Sequence, residues 1–213
     1  MEVLSLIFII IIFLFSVIVH EVAHGLTADS LGDPTPRLAG RLTLNPIPHL
    51  DPIGSFIVPL FLILMSIGTG GGFVFGWAKP VPVNPYNFRD KKYGDLKVGA
   101  AGVIANLILA LIFGIPIRFL PQNIAFFQNI STFFAYVVWI NLLLAVFNLF
   151  PLPPFDGSHI VGTFFPAFKR KMEANPSIQF ISIIGAVFFL LYIGGPLIIE
   201  PLFKLITGAG TLL

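Results

Sequence analysis

Residues 3–24 read VLSLIFIIIIFLFSVIVHEVAH, an almost unbroken apolar run that ends in three ionisable residues. With its polar C-terminal turn, a helix of this length spans a hydrocarbon core of about 30 Å. The run lacks the basic start and the small-residue cleavage site of a signal peptide, so we expect it to be retained as a first transmembrane span.

The composition of the whole chain agrees with a membrane protein. Of its 213 residues, 56% are hydrophobic and 10% are charged, and 24 Phe stand against 12 Lys plus Arg. A soluble domain has roughly a quarter of its residues charged. A soluble enzyme, a nucleic-acid-binding protein and a disordered chain are therefore excluded. The chain has no Cys, which excludes disulfides, Fe–S clusters and Cys-ligated zinc.

The apolar runs predict a single domain, residues 1–213, that is an all-α polytopic membrane protein. We expect a bundle of about four to five transmembrane helices with a small membrane-re-entrant β segment. The predicted spans are 3–27, 53–68 with a returning extended segment at 69–83, 96–120, 131–152 and 177–200. Residues 41–45 alternate like a short strand, and Pro80 and Pro82 give the extended segment the character of an edge strand.

Basic residues are concentrated on one predicted side of the membrane. If the first span runs from outside to inside, ten of the twelve Lys and Arg residues fall on the inner side, and only Arg118 and Lys204 lie elsewhere. Cytoplasmic loops carry the excess of basic residues. We therefore expect a multi-pass protein of the cell membrane with its N-terminus outside, provided that residues 52–76 enter the membrane and return to the same face.

The motif His20-Glu21-Val22-Ala23-His24 carries the predicted chemistry. On a helix, His20 and His24 share one face and can bind one metal ion. Glu21 lies beside the first ligand, where it can act as a general base, and the arrangement is the H-E-x-x-H of zinc peptidases. Ionisable residues inside a span are costly and mark function by default. We therefore favour a metal site over two histidines at the level of the lipid headgroups.

A catalytic zinc ion needs a third protein ligand, and several residues are candidates. Asp156 stands out because it follows a span whose inner end lies on the same predicted face as the two histidines. Asp29 and Asp33 follow the motif closely, but they are typical of capping or turn residues. His49 and His159 are also available, and their surroundings favour structural roles.

The chain resembles the site-2 protease family of intramembrane zinc metalloproteases, in the short form without PDZ or CBS domains. His20-Glu21-x-x-His24 is similar to the first motif of that family, and Asn148-x-x-Pro151-x-Pro153-x-x-Asp156-Gly157 is similar to the second. Gly99-Ala100-Ala101-Gly102-x-x-Ala105-Asn106 resembles the small-residue and Asn motif of the intervening span. Gly76-Trp77-Ala78-Lys79 resembles the re-entrant β segment of relatives.

The resemblance implies one Zn²⁺ per chain, bound by His20, His24 and Asp156, with Glu21 as the catalytic base. It also implies substrate-binding roles for Asn148, Trp77 and Lys79. The expected substrate is a transmembrane or membrane-anchored protein or peptide, cut near the cytoplasmic face within the lipid bilayer, and no nucleic-acid partner is expected. The alternatives are a membrane metal-ion transporter and a catalytically silent scaffold of the same fold.

Overall fold

The computed structural model describes residues 3–58, 61, 78–121 and 123–208. Four helices in this part of the chain are long and apolar enough to cross a membrane, at Ile7–Ser30, Gly94–Ile117, Ala125–Asn148 and Pro176–Thr207. The predicted all-α membrane bundle is thereby confirmed with four spans. The structure displaces their predicted ends by up to seven residues.

The helices are numbered here in chain order. They are α1 (Val3–Ser30), α2 (Thr35–Leu38), α3 (Gly94–Ile117), α4 (Ala125–Asn148), α5 (Gly157–Phe164), α6 (Pro166–Glu173), α7 (Pro176–Phe189) and α8 (Glu200–Thr207). Short 3₁₀ turns lie at Ile47–His49 and Pro85–Asn87, and π-helical segments lie at Pro52–Ile57 and Leu190–Ile199. The last span is therefore α7, a π-helical segment and α8 joined end to end.

The re-entrant segment was predicted at 53–83, and only its two ends belong to the described residues. Asp51 Oδ1 accepts hydrogen bonds from the N–H groups of Ile53 and Gly54 and so begins the π-helical turn Pro52–Ile57. Residues 62–77 lie outside the described part, and residues 78–83 have no regular secondary structure. Among the described residues there is no strand, so the structure does not show the predicted β segment.

The predicted strand at 41–45 is wrong, because local turns form there instead. The Thr43 hydroxyl accepts a hydrogen bond from the Asn45 N–H at 3.1 Å, and the Asn45 side chain accepts one from the Ile47 N–H at 3.1 Å. Side chains of this kind compete with a strand ladder for the backbone. The Arg41 guanidinium turns inward and donates to the carbonyl of Pro48.

The packing of the four spans decides where polar residues meet. Helix α1 runs antiparallel to α3, because His24 near its C-terminal end contacts Val98 near the start of α3. It runs parallel to α4, since Phe8 contacts Phe133 near one end and Ser16 contacts Asn141 further along. The apolar core lies between α3, α4 and the last span; its buried residues are Ala110, Ile117, Ala135, Val138, Leu142, Val146, Ile199 and Phe203.

Arg118 ties the far end of α3 to the end of the last span. Its Nε–H donates to the carbonyl of Ile206 at 2.9 Å, and its guanidinium also donates to the carbonyl of Leu205. These carbonyls belong to the last turn of α8, where the helix leaves them without partners. Gly208 then ends α8 in the left-handed region at φ 69°.

Candidate metal centre

Three side chains from distant parts of the sequence converge at the inner end of α1. The Nε2 atoms of His20 and His24 are 3.0 Å apart, and Asp156 Oδ2 lies 3.0 Å from the first and 3.2 Å from the second. The two histidines come from successive turns of α1, whereas Asp156 comes from the segment between α4 and α5. The predicted third ligand is thus brought beside the other two.

The opposite ring nitrogens of the two histidines face acceptors. His24 Nδ1 lies 2.7 Å from the carbonyl of Val98, and His20 Nδ1 lies 2.5 Å from Asn106 Oδ1. A carbonyl oxygen cannot donate, so each Nδ1 carries the proton and donates it. Each neutral ring then presents the lone pair of Nε2 to the other ring and to Asp156, as metal-ligating histidines do.

The donor set fits zinc. Ligand atoms at about 2.0–2.2 Å from a tetrahedral zinc ion lie about 3.3 Å from one another, close to the three distances of 3.0–3.2 Å. Asp156 Oδ2 is buried and has no hydrogen-bond partner. Two lone pairs and a carboxylate at such distances repel one another unless positive charge lies among them.

Gly102 of α3 forms the wall of the site opposite these ligand atoms. A Cβ on this residue would lie 2.5 Å from His24 Nε2 and 2.6 Å from both Cε1 and Nε2 of His20. Real Cβ atoms essentially never approach so closely, so the two rings reach their positions only because residue 102 has no side chain.

The segment that carries Asp156 is braced against α3. Asp95 Oδ1 lies 2.8 Å from His159 Nδ1 of α5, and its Oδ2 accepts from the Lys169 ammonium of α6 at 2.6 Å. Gly99 lets α5 approach closely, since a Cβ there would lie 2.7 Å from His159 Cβ. These contacts fix the start of α5, which directly follows Asp156.

Glu21 points toward the chain that follows the undescribed segment. Its Oε2 accepts a hydrogen bond of 2.8 Å from the N–H of Val81, and Val81 is buried against α1 beside Gly25. The carboxylate adjoining the first histidine is therefore held by a main-chain donor.

Comparison with known proteins settles the family. The family model of peptidase family M50 matches residues 8–192, which is most of the chain. The chain belongs to peptidase family M50. The predicted resemblance is confirmed, and the M50 peptidase is a zinc metalloprotease and a multi-pass membrane protein.

Curated relatives of the M50 peptidase carry names that agree with this assignment. The protein named "Putative zinc metalloprotease YwhC" of Bacillus subtilis is 36% identical over 192 residues, which cover 87% of this chain and 80% of that protein. "Putative zinc metalloprotease Rip2" of Mycolicibacterium smegmatis is 33% identical over 147 residues, 68% of this chain and about half (52%) of that protein. No solved structure matches the chain significantly.

The other candidate ligands of the M50 peptidase have structural partners. Asp29 pairs with Arg37 at 3.0 Å, and Asp33 accepts hydrogen bonds from both the N–H and the hydroxyl of Thr35. His49 is buried, with Nε2 2.9 Å from the carbonyl of Thr43. None of the three adjoins the two histidines of α1, and His159 belongs to the brace at Asp95.

Two of the three predicted substrate-binding residues, Asn148 and Lys79, belong to the described part of the chain. The Asn148 side chain is half-buried and donates to the carbonyl of Leu144, one turn earlier in its own helix. Lys79 is exposed, and its main-chain N–H donates to the carbonyl of His49 at 2.8 Å. Trp77 lies outside the described residues. Their roles toward substrate stay predictions.

Sequence reasoning did not assign contacts to Val98, Gly102 and Asn106, although a signal for them is present. The three residues are four apart, so they lie on one face of α3. The same spacing separates His20 from His24 on the antiparallel helix α1. Residues that repeat every four positions line one face of a helix. Such faces on two neighbouring helices can pack against each other, but only the packed structure shows that they meet at the histidine rings.

Proposed function

We propose that this M50 peptidase is an intramembrane zinc endopeptidase. In the proposal, His20, His24 and Asp156 bind one Zn²⁺ per chain, and Glu21 is the catalytic base. The substrates are transmembrane or membrane-anchored proteins whose peptide bonds are hydrolysed near the cytoplasmic face. The observation that carries the proposal is the convergence of two imidazole Nε2 atoms and one carboxylate oxygen within 3.0–3.2 Å of one another.

The depth of the site supports a substrate within the bilayer. His20 and His24 belong to the apolar helix Ile7–Ser30, and Asp156 comes shortly after the end of α4 at Asn148. The exposed sides of the spans carry large apolar residues, among them Ile11, Ile104, Ile112, Phe180 and Leu191. The basic loops near the site favour a cytoplasmic active site and an N-terminus outside.

The chemistry divides between the metal ion and the chain. Zinc held by these ligands would polarise the scissile carbonyl and activate water for attack on it. Glu21 takes the proton from the attacking water and delivers it to the amine of the leaving peptide. Because Val81 N–H holds Oε2 of Glu21, the proton transfer falls to Oε1.

An extended chain at residues 73–83 would hold an unwound substrate chain. Its described end supports a position beside the base, since Val81 contacts Glu21. The N–H groups of Lys79 and Val81 are both bonded within the protein, and Pro80 and Pro82 have none. Along residues 79–82, a substrate strand would therefore meet only carbonyl acceptors. Asn148 and Trp77 are further proposed contacts.

The test compares the wild type with Glu21→Gln in proteoliposomes that contain single-span synthetic transmembrane peptides. Zinc content is measured by elemental analysis and cleavage by mass spectrometry of the products. We expect both proteins to hold one zinc per chain. Loss of general acid–base catalysis lowers the cleavage rate of the variant by about 10²–10⁴.

Three results would contradict the proposal. Cleavage by Glu21→Gln at the wild-type rate would remove Glu21 from the mechanism. A zinc-loaded wild type that cleaves no peptide, together with zinc flux across the vesicle membrane that survives Glu21→Gln, would favour a transporter. A zinc-loaded wild type with neither activity would favour a silent scaffold.

A further inference from the structure

A chain of buried polar side chains connects His20 to the backbone of α4. Asn106 Nδ2 donates to Asn141 Oδ1 at 2.8 Å, and Asn141 Nδ2 donates to the carbonyl of Val137 at 2.9 Å and to the Ser16 hydroxyl at 2.9 Å. Asn106 and Asn141 are fully buried in the bundle, and Ser16 is almost so. Two amides and a hydroxyl in the apolar middle of three spans call for an explanation beyond helix packing.

The direction of every bond in this chain follows from its far end. The carbonyl of Val137 can only accept, so the NH₂ group of Asn141 faces it and the amide oxygen faces Asn106. Asn106 must then offer its NH₂ group to Asn141 and its oxygen to His20. The reverse orientation of either amide sets like groups against each other, and each buried polar group left unsatisfied costs about 1–3 kcal/mol.

At the metal centre, this orientation decides which ring nitrogen of His20 carries the hydrogen. Because Asn106 Oδ1 accepts, His20 Nδ1 must carry the hydrogen, and Nε2 keeps the lone pair that faces His24 and Asp156. His24 achieves the same state directly, since its Nδ1 donates to the main-chain carbonyl of Val98. A backbone carbonyl thus sets the tautomer of each histidine. His24 bonds to its carbonyl directly, whereas His20 is connected to one through the amides of Asn106 and Asn141.

We propose that Asn141 is a positioning residue that sets the tautomer of His20 through Asn106. The Val137 carbonyl fixes the orientation of the Asn141 amide. The inference rests on the proposed function in one respect, that the Nε2 lone pair of His20 binds zinc. Ser16 is a second acceptor for Asn141 and is not needed for the direction of the chain. The Ser16 carbonyl lies 3.5 Å from Asn106 Nδ2, beyond the usual hydrogen-bond range, and orients that amide only weakly.

The test uses Asn141→Leu, which keeps the number of side-chain heavy atoms and the branch at Cγ and removes the amide. Asn106 then loses its acceptor and can turn its NH₂ group toward His20, which places the imidazole hydrogen on Nε2. The readout is the ¹⁵N spectrum of ¹⁵N-histidine-labelled, zinc-free protein in bilayers, with the His20 signals identified by their loss in His20→Gln. We expect Nδ1–H in the wild type and a substantial Nε2–H population in Asn141→Leu.

Zinc affinity provides the second readout, measured by competition with a chelator. Loss of an outer partner of a ligating histidine typically costs 10–100-fold in metal affinity, and we expect that decrease for Asn141→Leu. Ser16→Ala is the matched control. It removes one hydrogen bond from the same buried chain but leaves Val137 to orient Asn141, so the tautomer and the zinc affinity should stay at wild-type values.

A double variant separates positioning from structural support. In Asn106→Asp/Asn141→Leu, the ionised carboxylate of residue 106 has only acceptor oxygens, so His20 Nδ1 must donate whatever residue 141 is. We expect the double variant to recover Nδ1–H and most of the lost zinc affinity, which a purely structural defect at residue 141 would not allow.

Failure of this inference and failure of the proposed function give different results. A wild-type His20 with its hydrogen on Nε2 overturns the inference, and this measurement needs no zinc. Unchanged tautomer and zinc affinity in Asn141→Leu, or an equal effect of Ser16→Ala, also overturns it. A wild type that shows Nδ1–H at His20 but binds no zinc overturns the metal site instead and leaves the role of Asn141 standing.

Discussion

Gly102→Ala adds one methyl group at the point where the two histidine rings press against α3. The new Cβ would lie 2.5 Å from His24 Nε2 and 2.6 Å from His20 Nε2, whereas unbonded heavy atoms settle at about 3.5 Å. The rings must therefore retreat by about 1 Å. Their Nδ1 partners, the Val98 carbonyl and Asn106, belong to α3 itself, so the retreat stretches both hydrogen bonds.

The size of the effect follows from those two bonds. Bonds of 2.5 and 2.7 Å lengthened by about 1 Å pass beyond the range of about 3.2 Å in which N–H···O bonds form. Two lost bonds at about 1 kcal/mol each and at least about 1 kcal/mol of overpacking give about 3 kcal/mol. If this free energy is lost from the zinc-binding geometry, zinc affinity falls by about 100-fold.

The assay is zinc binding by chelator competition, alongside thermal unfolding. Gly114→Ala is the matched control, because a Cβ there would clash with the Ile206 side chain and lie 3.1 Å from Val138 Cγ2. It overpacks the same helix α3 far from the histidines, so it should lower the unfolding temperature and leave zinc affinity unchanged in the folded protein. Wild-type zinc affinity in Gly102→Ala would refute the assigned contact between this glycine and the rings.

Two further predictions concern one support of the site, Asp95, and one buried carboxylate away from it, Asp33. Asp95→Asn weakens the brace of the segment that carries Asp156, so zinc affinity measured by competition should fall about 10-fold; unchanged affinity would contradict the brace. Asp33 is fully buried: burial raises the pKa of its carboxyl, but hydrogen bonds from neighbouring N–H and hydroxyl groups hold the pKa below its usual value. Since the unfolded pKa is about 3.9, this stability is present above about pH 4 and is lost as the pH falls through the lower folded value. The free energy of unfolding of Asp33→Asn should therefore be about 2 kcal/mol lower than that of the wild type at pH 7, and it should depend less on pH below 4. By contrast, Asp29→Asn removes an ion pair to the exposed Arg37 and should change the free energy of unfolding by less than about 1 kcal/mol.

The spans were predictable because bilayer thickness sets a length that apolar runs either reach or do not. The last helix was predicted to end near residue 200, before Pro201, and instead continues through Thr207. Pro201 falls in the first turn of α8, where a missing N–H is tolerated. A π-helical segment precedes it, and the apolar periodicity of the sequence does not show where such a segment will form.

The predicted strand at 41–45 failed for a local reason. Alternating residues favour a strand only when a partner strand can satisfy the backbone, and here the side chains of Thr43 and Asn45 bond to nearby N–H groups first. Turn chemistry of this kind can be identified from sequence, and it outweighed a five-residue alternation.

The three proposed ligands could be predicted because their residue types and spacing are themselves typical of a metal site. The residues that hold these ligands and Glu21 in place could not be predicted, since their contacts depend on which helix faces meet. Asn106 contacts His20 only because α3 runs antiparallel to α1, and Val81 reaches Glu21 across 60 residues of chain. Contacts of this kind arise from packing and not from any local pattern.

X-ray absorption at the zinc edge of the purified wild type tests the central claim most directly. One zinc per chain, with two imidazole nitrogens at about 2.0–2.1 Å and carboxylate oxygen at about 2.0–2.2 Å, is the predicted result. The two-imidazole signature should be lost in His24→Ala. Zinc absent from the wild type, or a two-imidazole signature that persists in His24→Ala, would contradict a metal centre built from His20, His24 and Asp156.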